Sequence, residues 1–360
     1  MGTNPQHKNT DTCWRSNLIS VIIPAYNVAD LLPTAISSVV SQRPASGHAL
    51  EPFEIVIVDD GSTDDTAAVV RAASKRDPRV RLVSRPHGGP GLARNTGLAA
   101  CEGDRVVFVD ADDRLLPGAL DELASAMPAE PGSIVIAGHT ESGWHAASGR
   151  IVDQVLRPVA IREALGPGTA FRRYVYGRIP SVVWAAMFSR SLFNDIRFRE
   201  CSPHADAEIM PRLIRSAGHV ILIPGVVYEY RRRPGSVVDS VSESRLNSIR
   251  VQRGLLKLAS TRPNQPMLRS AGRRAVIGSA FGLAAFITQK RHLGTVVDIE
   301  RWARCIRRTA GVRDITRWMF VDPWLRPTYR LYAASVLLGP RTAWIVDRVA
   351  RRMRHVRDSR

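Results

Sequence analysis

Two short stretches of this 360-residue chain end apolar runs in clusters of aspartates. Residues 53–65 read FEIVIVDDGSTDD, and residues 104–113 read DRVVFVDADD. A buried strand that delivers carboxylates to its carboxyl end is where open α/β sheets place their ligand sites. Two such strand ends in one domain predict a site for a ligand that needs acidic groups, most simply a phosphate bridged by a metal ion. The pattern favours an enzyme.

Asp110 and Asp112 form the acidic pair at the second strand end. Because residues i and i+2 of a strand project to the same side, both carboxylates are expected to face one ligand. Carboxylate oxygens suit Mn²⁺ or Mg²⁺, which bridge to substrate phosphates with few protein ligands. The alternative interpretation is a solvated turn whose acids cap the following helix. The apolar strand before the pair and the second acidic strand end favour the metal site.

Asp59 and Asp60 end the first stretch, and Ser62, Thr63 and Asp64 follow them. Asp60 is expected to accept hydrogen bonds from a base or a ribose. The competing interpretation is a helix cap, since Ser, Thr and Asp are all favoured at that position. The three later residues suffice for a cap, which leaves Asp59 and Asp60 available for a ligand.

A glycine-rich loop, GGPG at residues 88–91, precedes a predicted helix. Glycine permits close approach of a ligand to the backbone, and a helix start offers N–H groups to an anion. The loop matches neither a Walker A sequence nor the dinucleotide fingerprint. Arg94 is predicted in the first turn of this helix, where a cation opposes the helix dipole. That unfavourable placement indicates a functional arginine that contacts a base or a phosphate.

Alternating strands and helices position these motifs along the first 140 residues. The predicted strands are 18–23, 55–58, 80–84, 106–109 and 134–137, and the predicted helices are 29–42, 66–75, 92–101 and 117–127. Pro24 is expected to end the first strand because proline cannot donate to a ladder. The alternation predicts an α/β fold around a mostly parallel central sheet.

Composition indicates a globular protein that does not cross a membrane. The apolar fraction is 44%, and no segment reaches the roughly 20 apolar residues that a membrane span requires. The polar start of the chain argues against a secretory signal peptide. The four dispersed cysteines indicate reduced thiols and not a zinc site or a disulfide framework. The expected location is the cytoplasm, including the inner face of the plasma membrane.

The positive charge is concentrated at the end of the chain. The net charge is +18, and residues 301–360 contain 15 arginines, 4 aspartates and no lysine or glutamate, a net +11. Such an excess favours polyanionic partners. Nucleic acid is not expected as a partner, since no RNP motif, zinc spacing or helix-turn-helix is present. We divide the chain into a disordered leader (1–17), an α/β domain (18–240) and a basic helical C-terminal region (241–360).

The last twenty residues, 341–360, have the pattern of a basic amphipathic helix. Apolar residues recur at Ile345, Val349, Met353 and Val356, with arginines between them. One interpretation is that this segment lies on an anionic membrane near lipid-linked acceptors. The other is a helix packed on the catalytic domain with a solvated arginine face. The sequence leaves both open.

Four motifs taken together resemble the family 2 glycosyltransferases. They are VIIPAYN (21–27), IVDDGSTD (57–64), GPGLARNTGL (89–98) and FVDADD (108–113), in the order and approximate spacing of that family. Each motif alone is modest, but four in register make a specific signal. The resemblance implies the GT-A fold, which is a single nucleotide-binding α/β domain.

The resemblance also implies roles for individual residues. Asp112 would bind the Mn²⁺ or Mg²⁺ that bridges the donor diphosphate, and Asp110 would bind the ribose. Pro24, Tyr26 and Asp60 would line the base pocket with help from Arg94. The full set implied for nucleotide-sugar binding is Pro24, Ala25, Tyr26, Asn27, Asp59, Asp60, Arg94 and Asp110.

A fainter part of the resemblance lies downstream. The WAAMF segment at 184–188 fits the family's Trp-containing segment, and HADAE at 204–208 fits its acidic segment. This match implies that Asp206 is the catalytic base. Ala186 replaces a lysine often found there, and Ala205 replaces the usual glutamate. We expect Asp206 to be unpaired, with a pKa of about 4; the alternative is a surface acid that opens the next helix.

These observations predict an inverting, metal-dependent transfer of a sugar from a nucleotide-diphospho-sugar, with a UDP-sugar favoured, to a hydroxyl of a cell-surface glycan. One alternative is transfer to a polyprenyl phosphate carrier. A different class is a non-catalytic protein that binds a nucleotide-sugar or a polyanion. The expected partners are the donor, a glycan or lipid-linked acceptor, and an anionic membrane surface.

Overall fold

The computed structural model describes residues 15–44, 50–145, 150–156, 161–199, 204–232, 241–261, 265–292 and 297–358. The first strand begins at Arg15, so the last three residues of the predicted leader belong to the sheet. The rest of that leader, residues 1–14, lies outside the described residues, as do Cys13 and Cys201.

Ten strands in the described part of the chain form one sheet. They are β1 (Arg15–Ala25), β2 (Phe53–Asp59), β3 (Val80–Ser84), β4 (Gly103–Phe108), β5 (Arg114–Leu115), β6 (Ser133–His145), β7 (Arg150–Leu156), β8 (Glu163–Leu165), β9 (Ala186–Ser189) and β10 (His219–Arg232). Their main order is β3-β2-β1-β4-β9-β6-β10-β5, with β7 beside β6 and β8 beside β10.

Twelve α-helices are described alongside the sheet. They are α1 (Leu32–Val40), α2 (Thr66–Arg76), α3 (Pro90–Ala100), α4 (Ala119–Ala126), α5 (Pro167–Val175), α6 (Ala205–Ser216), α7 (Asn247–Ser260), α8 (Pro266–His292), α9 (Ile299–Ala310), α10 (Val312–Val321), α11 (Pro327–Leu338) and α12 (Pro340–Asp358). Every described element after β10 is helical, which agrees with the predicted character of the C-terminal region.

The prediction of an α/β fold with a mostly parallel central sheet is confirmed. Strands β3, β2, β1 and β4 pair in parallel, and β6 pairs in parallel with β10. The antiparallel strand β9 joins these two groups by pairing with both β4 and β6. The carboxyl ends of β1, β2 and β4 therefore meet at one edge of the sheet, where the acidic clusters lie.

Pro24 does not end the first strand, contrary to our expectation. Strand β1 continues through Pro24 to Ala25, with Pro24 in register with Val58 of β2. Neighbouring N–H groups of a parallel strand point alternately to its two sides. Ile22 faces β4, since its carbonyl accepts a hydrogen bond from Val109 N, and Pro24 faces the same side. The pairing of β1 with β4 ends at Ile22, so the missing N–H of Pro24 removes no ladder hydrogen bond.

Alternation of apolar side chains gives the sheet a core on each face. Ile22 and Val58 belong to one core with α3, α5 and α6. Ile23 and Ile57 belong to the other core with α1, α2 and α4. The first core also holds the C-terminal helices, because Leu255 of α7 and Leu268 of α8 pack into it. The C-terminal helices are thus attached to the face that carries α6.

A third apolar cluster lies within the C-terminal helices. Ile277 and Ile287 of α8 pack there with Trp302 of α9 and Val336 of α11. Among the described helices, none combines the length and apolar composition needed to cross a bilayer.

Gly97 permits α3 to pack closely on the sheet. A methyl group at this position would overlap Ile22 Cγ2 and would lie 3.3 Å from Val58 Cγ2. Both neighbours are fully buried, so neither side chain has room to move. The residue that brings α3 and its Arg94 close to the strand ends is therefore a glycine.

We expect Gly97→Ala to destabilise the protein by about 1–3 kcal/mol through overpacking. The control is Gly254→Ala in α7, where a methyl group meets no atom within 4 Å. That change is expected to stabilise by about 0.5–1 kcal/mol because alanine favours the helix. Urea unfolding of both variants measures the two effects, and a Gly97→Ala variant as stable as wild type would contradict the close packing.

Candidate functional site

A cavity of about 740 Å³ opens at the carboxyl edge of the parallel strands. Eight of the residues predicted from the sequence line it, and these are Pro24, Ala25, Tyr26, Asp60, Arg94, Asp110, Asp112 and Asp206. They come from five separate parts of the chain. Asn27 and Asp59 are not among the lining residues.

Arg94 joins the two sides of this cavity. Its Nη2 donates to Asp110 Oδ1 at 2.7 Å, and its Nη1 donates to Asp206 Oδ1 at 2.9 Å. The side chain is almost fully buried, and the guanidinium lies 5.4 Å from the ring centre of Phe198. Burial alone would lower the pKa of Arg94, but the charges of Asp206 and Asp110 raise it well above the ordinary value. The cation is therefore permanent.

The reason given for Arg94 from the sequence was wrong. Helix α3 begins at Pro90, so Arg94 lies in the second turn and not in the first. The helix dipole acts mainly within the first turn, so it does not make this cation unfavourable. Arg94 is stabilised at this buried position by the two carboxylates that it contacts, Asp110 and Asp206.

Asp206 lies in the first turn of α6, where the helix dipole favours an anion. Its other oxygen accepts a weak hydrogen bond from Val183 N at 3.4 Å. Burial raises the pKa of Asp206, the charge of Arg94 opposes that rise, and Asp110 adds to it. The expectation of an unpaired Asp206 with a pKa near 4 is wrong, because the side chain is both desolvated and paired.

The two alanines that replace expected polar residues both lie in packed positions. Ala205 is buried where α6 approaches α3, and a methyl group on Gly91 of α3 would lie 3.8 Å from the Ala205 Cβ. Ala186 is fully buried in β9, between β4 and β6. A charged side chain at position 186 would be desolvated, which is costly without a partner, whereas Ala205 lines the cavity.

Asp110 and Asp112 lie in a turn after β4 and not on the strand itself. The turn closes with a hydrogen bond from Asp113 N to Asp110 O at 3.1 Å. Strand alternation therefore does not explain why both carboxylates line the cavity. The turn does so by directing Asp110 and Asp112 to the cavity while Asp113 points inward, where it is buried.

Asp113 and Tyr228 fix this turn, and neither residue was predicted to have a role. Tyr228 Oη donates to Asp113 Oδ2 at 2.8 Å and accepts from Asp110 N at 3.0 Å. Arg231 N also donates to Asp113. Burial and the charges of Asp110 and Asp112 raise the pKa of Asp113 to about 9. The only signal in the sequence was the third acid of the DADD run.

The donor set at this turn fits a small divalent cation. Asp110 and Asp112 present carboxylate oxygens to the same cavity, and these are the ligands that Mn²⁺ and Mg²⁺ prefer. Within the described residues, no group of three or more His, Cys, Asp or Glu side chains forms a metal cluster. The arrangement therefore suits an ion that takes one or two protein ligands and completes its coordination with substrate phosphates and water.

Asp60 organises the glycine-rich loop. Its carboxylate accepts hydrogen bonds from Gly88 N and Gly89 N, the latter at 2.7 Å, and forms an ion pair with Arg85. His87 Nδ1 lies 3.0 Å from the same carboxylate. The His87 ring stacks on Tyr26, with ring centres 4.0 Å apart. The result is an aromatic pair at one end of the cavity, with Tyr26 partly open to solvent.

Asn27 and Asp59 support the wall behind this pair. Asn27 Oδ1 accepts from Thr63 N at 2.8 Å, and Asp59 Oδ1 accepts from Ser62 N at 3.0 Å. Asn27 has a φ of 50°, which Asn tolerates better than most residues. Both side chains thus bond to the turn after β2, although the sequence had suggested that Asp59 was available for a ligand.

Aromatic rings form the opposite wall. Trp184 stacks on Tyr228 at 4.4 Å and lies parallel to Tyr230 at 5.7 Å, and His139 meets its edge at 4.7 Å. Trp184, Tyr230 and His139 line the cavity, as does Glu141. His139 and Glu141 were missed in the sequence, although both follow a predicted strand at alternate positions. Trp184 and His139 are largely buried, so the stacked rings give this wall a rigid apolar backing.

The chain is similar in sequence to known glycosyltransferases. The family model described as glycosyl transferase family 2 matches residues 20–197. Glycosyltransferase GlyG of Streptococcus pneumoniae is 25% identical over 62% of this chain and 73% of its own length. Succinoglycan biosynthesis protein ExoU of Rhizobium meliloti is 37% identical over 32% of this chain and 30% of its own.

A solved structure shows the same fold over nearly the whole chain. S. aureus TarS 1-349 in complex with UDP-GlcNAc superposes with a TM-score of 0.61 at 21% identity, covering 92% of each chain. The resemblance found in the sequence is therefore confirmed, and the fold is of the GT-A type. Residues 20–197 form a glycosyl transferase family 2 domain.

Proposed function

We propose that this protein transfers a sugar, with inversion, from a nucleotide-diphospho-sugar to a hydroxyl group of a cell-surface glycan. The observation that carries the proposal is the Arg94 contact, which places the Asp110–Asp112 turn and Asp206 in one cavity. Such a reaction needs carboxylates at the diphosphate and a separate carboxylate at the acceptor. A UDP-sugar is the favoured donor, since TarS was solved with UDP-GlcNAc.

The donor is proposed to lie along the strand ends. Pro24 and Tyr26 contact the base, and Asp60 supports that pocket through the loop it bonds. Asp110 binds the ribose, and Asp112 binds Mn²⁺ or Mg²⁺. A divalent cation at this place neutralises the charge that develops on the leaving diphosphate. Arg94 keeps Asp110 oriented, and its permanent charge lies close to the phosphates.

Asp206 is proposed to remove the proton from the acceptor hydroxyl. Its pKa is raised above the ordinary value by burial, which makes the carboxylate a stronger base than a solvated aspartate. The charge of Arg94 opposes that rise and favours the ionised carboxylate, which is the form that accepts a proton. One base on the face opposite the leaving group gives a single displacement, and a single displacement inverts the anomeric centre.

The acceptor is proposed to be part of a bacterial surface polysaccharide. ExoU, which is named for succinoglycan biosynthesis, supports this class of product. The aromatic wall at Trp184 and Tyr230 supports a sugar acceptor in preference to a bare polyprenyl phosphate. We propose that the reaction takes place in the cytoplasm, where nucleotide-sugars are available, with the exposed Ile345 and Val349 of α12 directed to the membrane.

Asp112→Ala is expected to weaken the binding of UDP at least about tenfold in the presence of Mn²⁺, because the bridging cation loses its carboxylate. Isothermal titration with Mn²⁺ and with EDTA measures this, and EDTA should weaken binding to wild type to a similar degree. The control is Asp195→Ala, an exposed acid outside the cavity. Silence toward UDP, GDP and the other nucleoside diphosphates would refute the donor assignment.

Asp206→Asn is expected to lower kcat about 10²- to 10⁴-fold while UDP binding is retained, since the amide removes only the base. The control is Glu208→Gln on the same helix, a residue that pairs with Arg212 and does not line the cavity. NMR of the product formed by wild type should show the anomeric configuration inverted. Retention of configuration, or full activity of Asp206→Asn, would contradict the proposed mechanism.

Arg94→Met is expected to raise the pKa of Asp206, because Arg94 now lowers it. The carboxyl ¹³C shift of labelled aspartate, followed against pH, measures the change. The folded-state pKa of Asp206 then lies further above its value in the unfolded chain, so the folded protein binds this proton more tightly. The loss in the free energy of unfolding should therefore be largest at high pH and should shrink as the pH falls. Arg94→Lys keeps the charge and should keep the pKa lower; equal pKa values in the two variants would contradict the argument.

A further inference from the structure

A second cavity lies far from the strand ends, among the C-terminal helices. It has a volume of about 680 Å³ and is lined by the end of α8, by α9 and by the junction of α11 with α12. Four arginines face it, and these are Arg291, Arg304, Arg307 and Arg341. None of its described lining residues belongs to the catalytic cavity. We call it the arginine cleft.

The arginine cleft carries unneutralised positive charge. Within the part of the chain that the structure describes, none of the four guanidinium groups forms a hydrogen bond or an ion pair with another residue. Two acids also line the cleft. Asp298 accepts from Arg301 N at 2.9 Å as the cap of α9, and Glu300 follows it. The arginines outnumber the acids two to one, so the cleft favours an anion.

The backbone supplies further donors at the cleft, although the ends of α8 and α11 lie there too and their dipoles oppose that of α12. Helix α12 begins at Pro340, directly at the cleft, and is 19 residues long. The first N–H groups of a helix have no partner within it, and its dipole favours an anion at that end. A helix start alone does not make a site, but here it lies beside four arginines. The donors suit a phosphate group, which guanidinium binds in a bidentate manner.

The rim of the cleft is apolar and exposed. Leu338 lines the cleft and is 76% exposed, and Ile345 and Val349 on α12 are about half exposed. Eight of the thirteen large apolar side chains that are exposed in the described residues lie between 312 and 349, including Phe320 and Trp324. A soluble polyanion would make no contact that buries these apolar side chains. A phosphate attached to a hydrocarbon chain would bury them against that chain.

We propose that the arginine cleft binds the phosphate of an anionic lipid at the membrane surface. The headgroup phosphate contacts Arg304 and Arg341 at the start of α12, and Leu338 enters the acyl boundary beside it. This goes beyond the proposed transferase reaction, which requires none of these residues. The cleft would place the enzyme at the membrane with a defined orientation, which a diffuse basic surface does not do.

The test uses the full chain and flotation with lipid vesicles. Wild type should bind vesicles of phosphatidylcholine mixed with phosphatidylglycerol and should not bind phosphatidylcholine alone. The double change Arg304→Gln and Arg341→Gln should weaken binding at least about tenfold, from the loss of two cations near the surface. Glu300→Gln should strengthen it, because it removes an acid from the cleft. UDP binding should be unchanged in both variants, as a check on the fold.

The control is the pair Arg71→Gln and Arg76→Gln, two exposed arginines on α2 whose removal changes the net charge equally. This pair should leave vesicle binding almost unaffected. Equal losses in the two double variants would show a diffuse charge effect and would overturn the site. Full binding by the Arg304/Arg341 variant would overturn it too. Glycerol 3-phosphate that binds the cleft as tightly as the vesicles do would refute the lipid assignment and indicate a soluble phosphate ligand.

Discussion

Arg94 is a buried cation between two carboxylates that are distant in sequence, and the catalytic cavity depends on it. Asp110 belongs to the turn after β4, whereas Asp206 belongs to α6, and the guanidinium of Arg94 bonds to both. A buried charge without its partners costs several kcal/mol, on the order of 3–5. The fold therefore favours the arrangement in which both aspartates face the same space. Gly97 makes this possible, because α3 approaches the sheet closely enough for Arg94 to reach both.

The turn that carries Asp110 and Asp112 has its own constraint. Tyr228 donates to Asp113 and accepts from Asp110 N, so one hydroxyl bonds to two residues of the turn. The same Tyr228 ring stacks on Trp184 of the aromatic wall. The carboxylates and the aromatic surface are consequently linked through a single buried side chain. A change in the aromatic wall would therefore alter the turn that carries Asp110 and Asp112.

Local patterns in the sequence were enough for the central sheet and for the acids at its strand ends, whereas Pro24, Tyr26 and Asp206 came from the resemblance to a family. Runs of apolar residues that end in Asp60 or Asp110 indicate buried strands with acids at their carboxyl ends, and both residues lie where those patterns place them. The bonds that give each acid its role join residues far apart, such as Arg94 with Asp206, and no local spacing reports them. The same reason explains two wrong predictions, the pKa of Asp206 and the end of β1 at Pro24. Whether a carboxylate is paired, and where a strand ends, both depend on residues that are distant in sequence.

The C-terminal helices are coupled to the catalytic side of the molecule. Leu255 and Leu268 pack into the same core as Ile209 of α6, and Arg215 of α6 donates to Leu258 O in α7 at 3.5 Å. Helix α6 is thus packed between the catalytic cavity, where it places Asp206, and the helices that carry the arginine cleft. These helices are closely packed and resist compression, so a shift of the C-terminal helices would also move α6. A lipid phosphate in the cleft would therefore fix the height and the orientation of the proposed base above the membrane, which is what transfer to an acceptor at that surface requires.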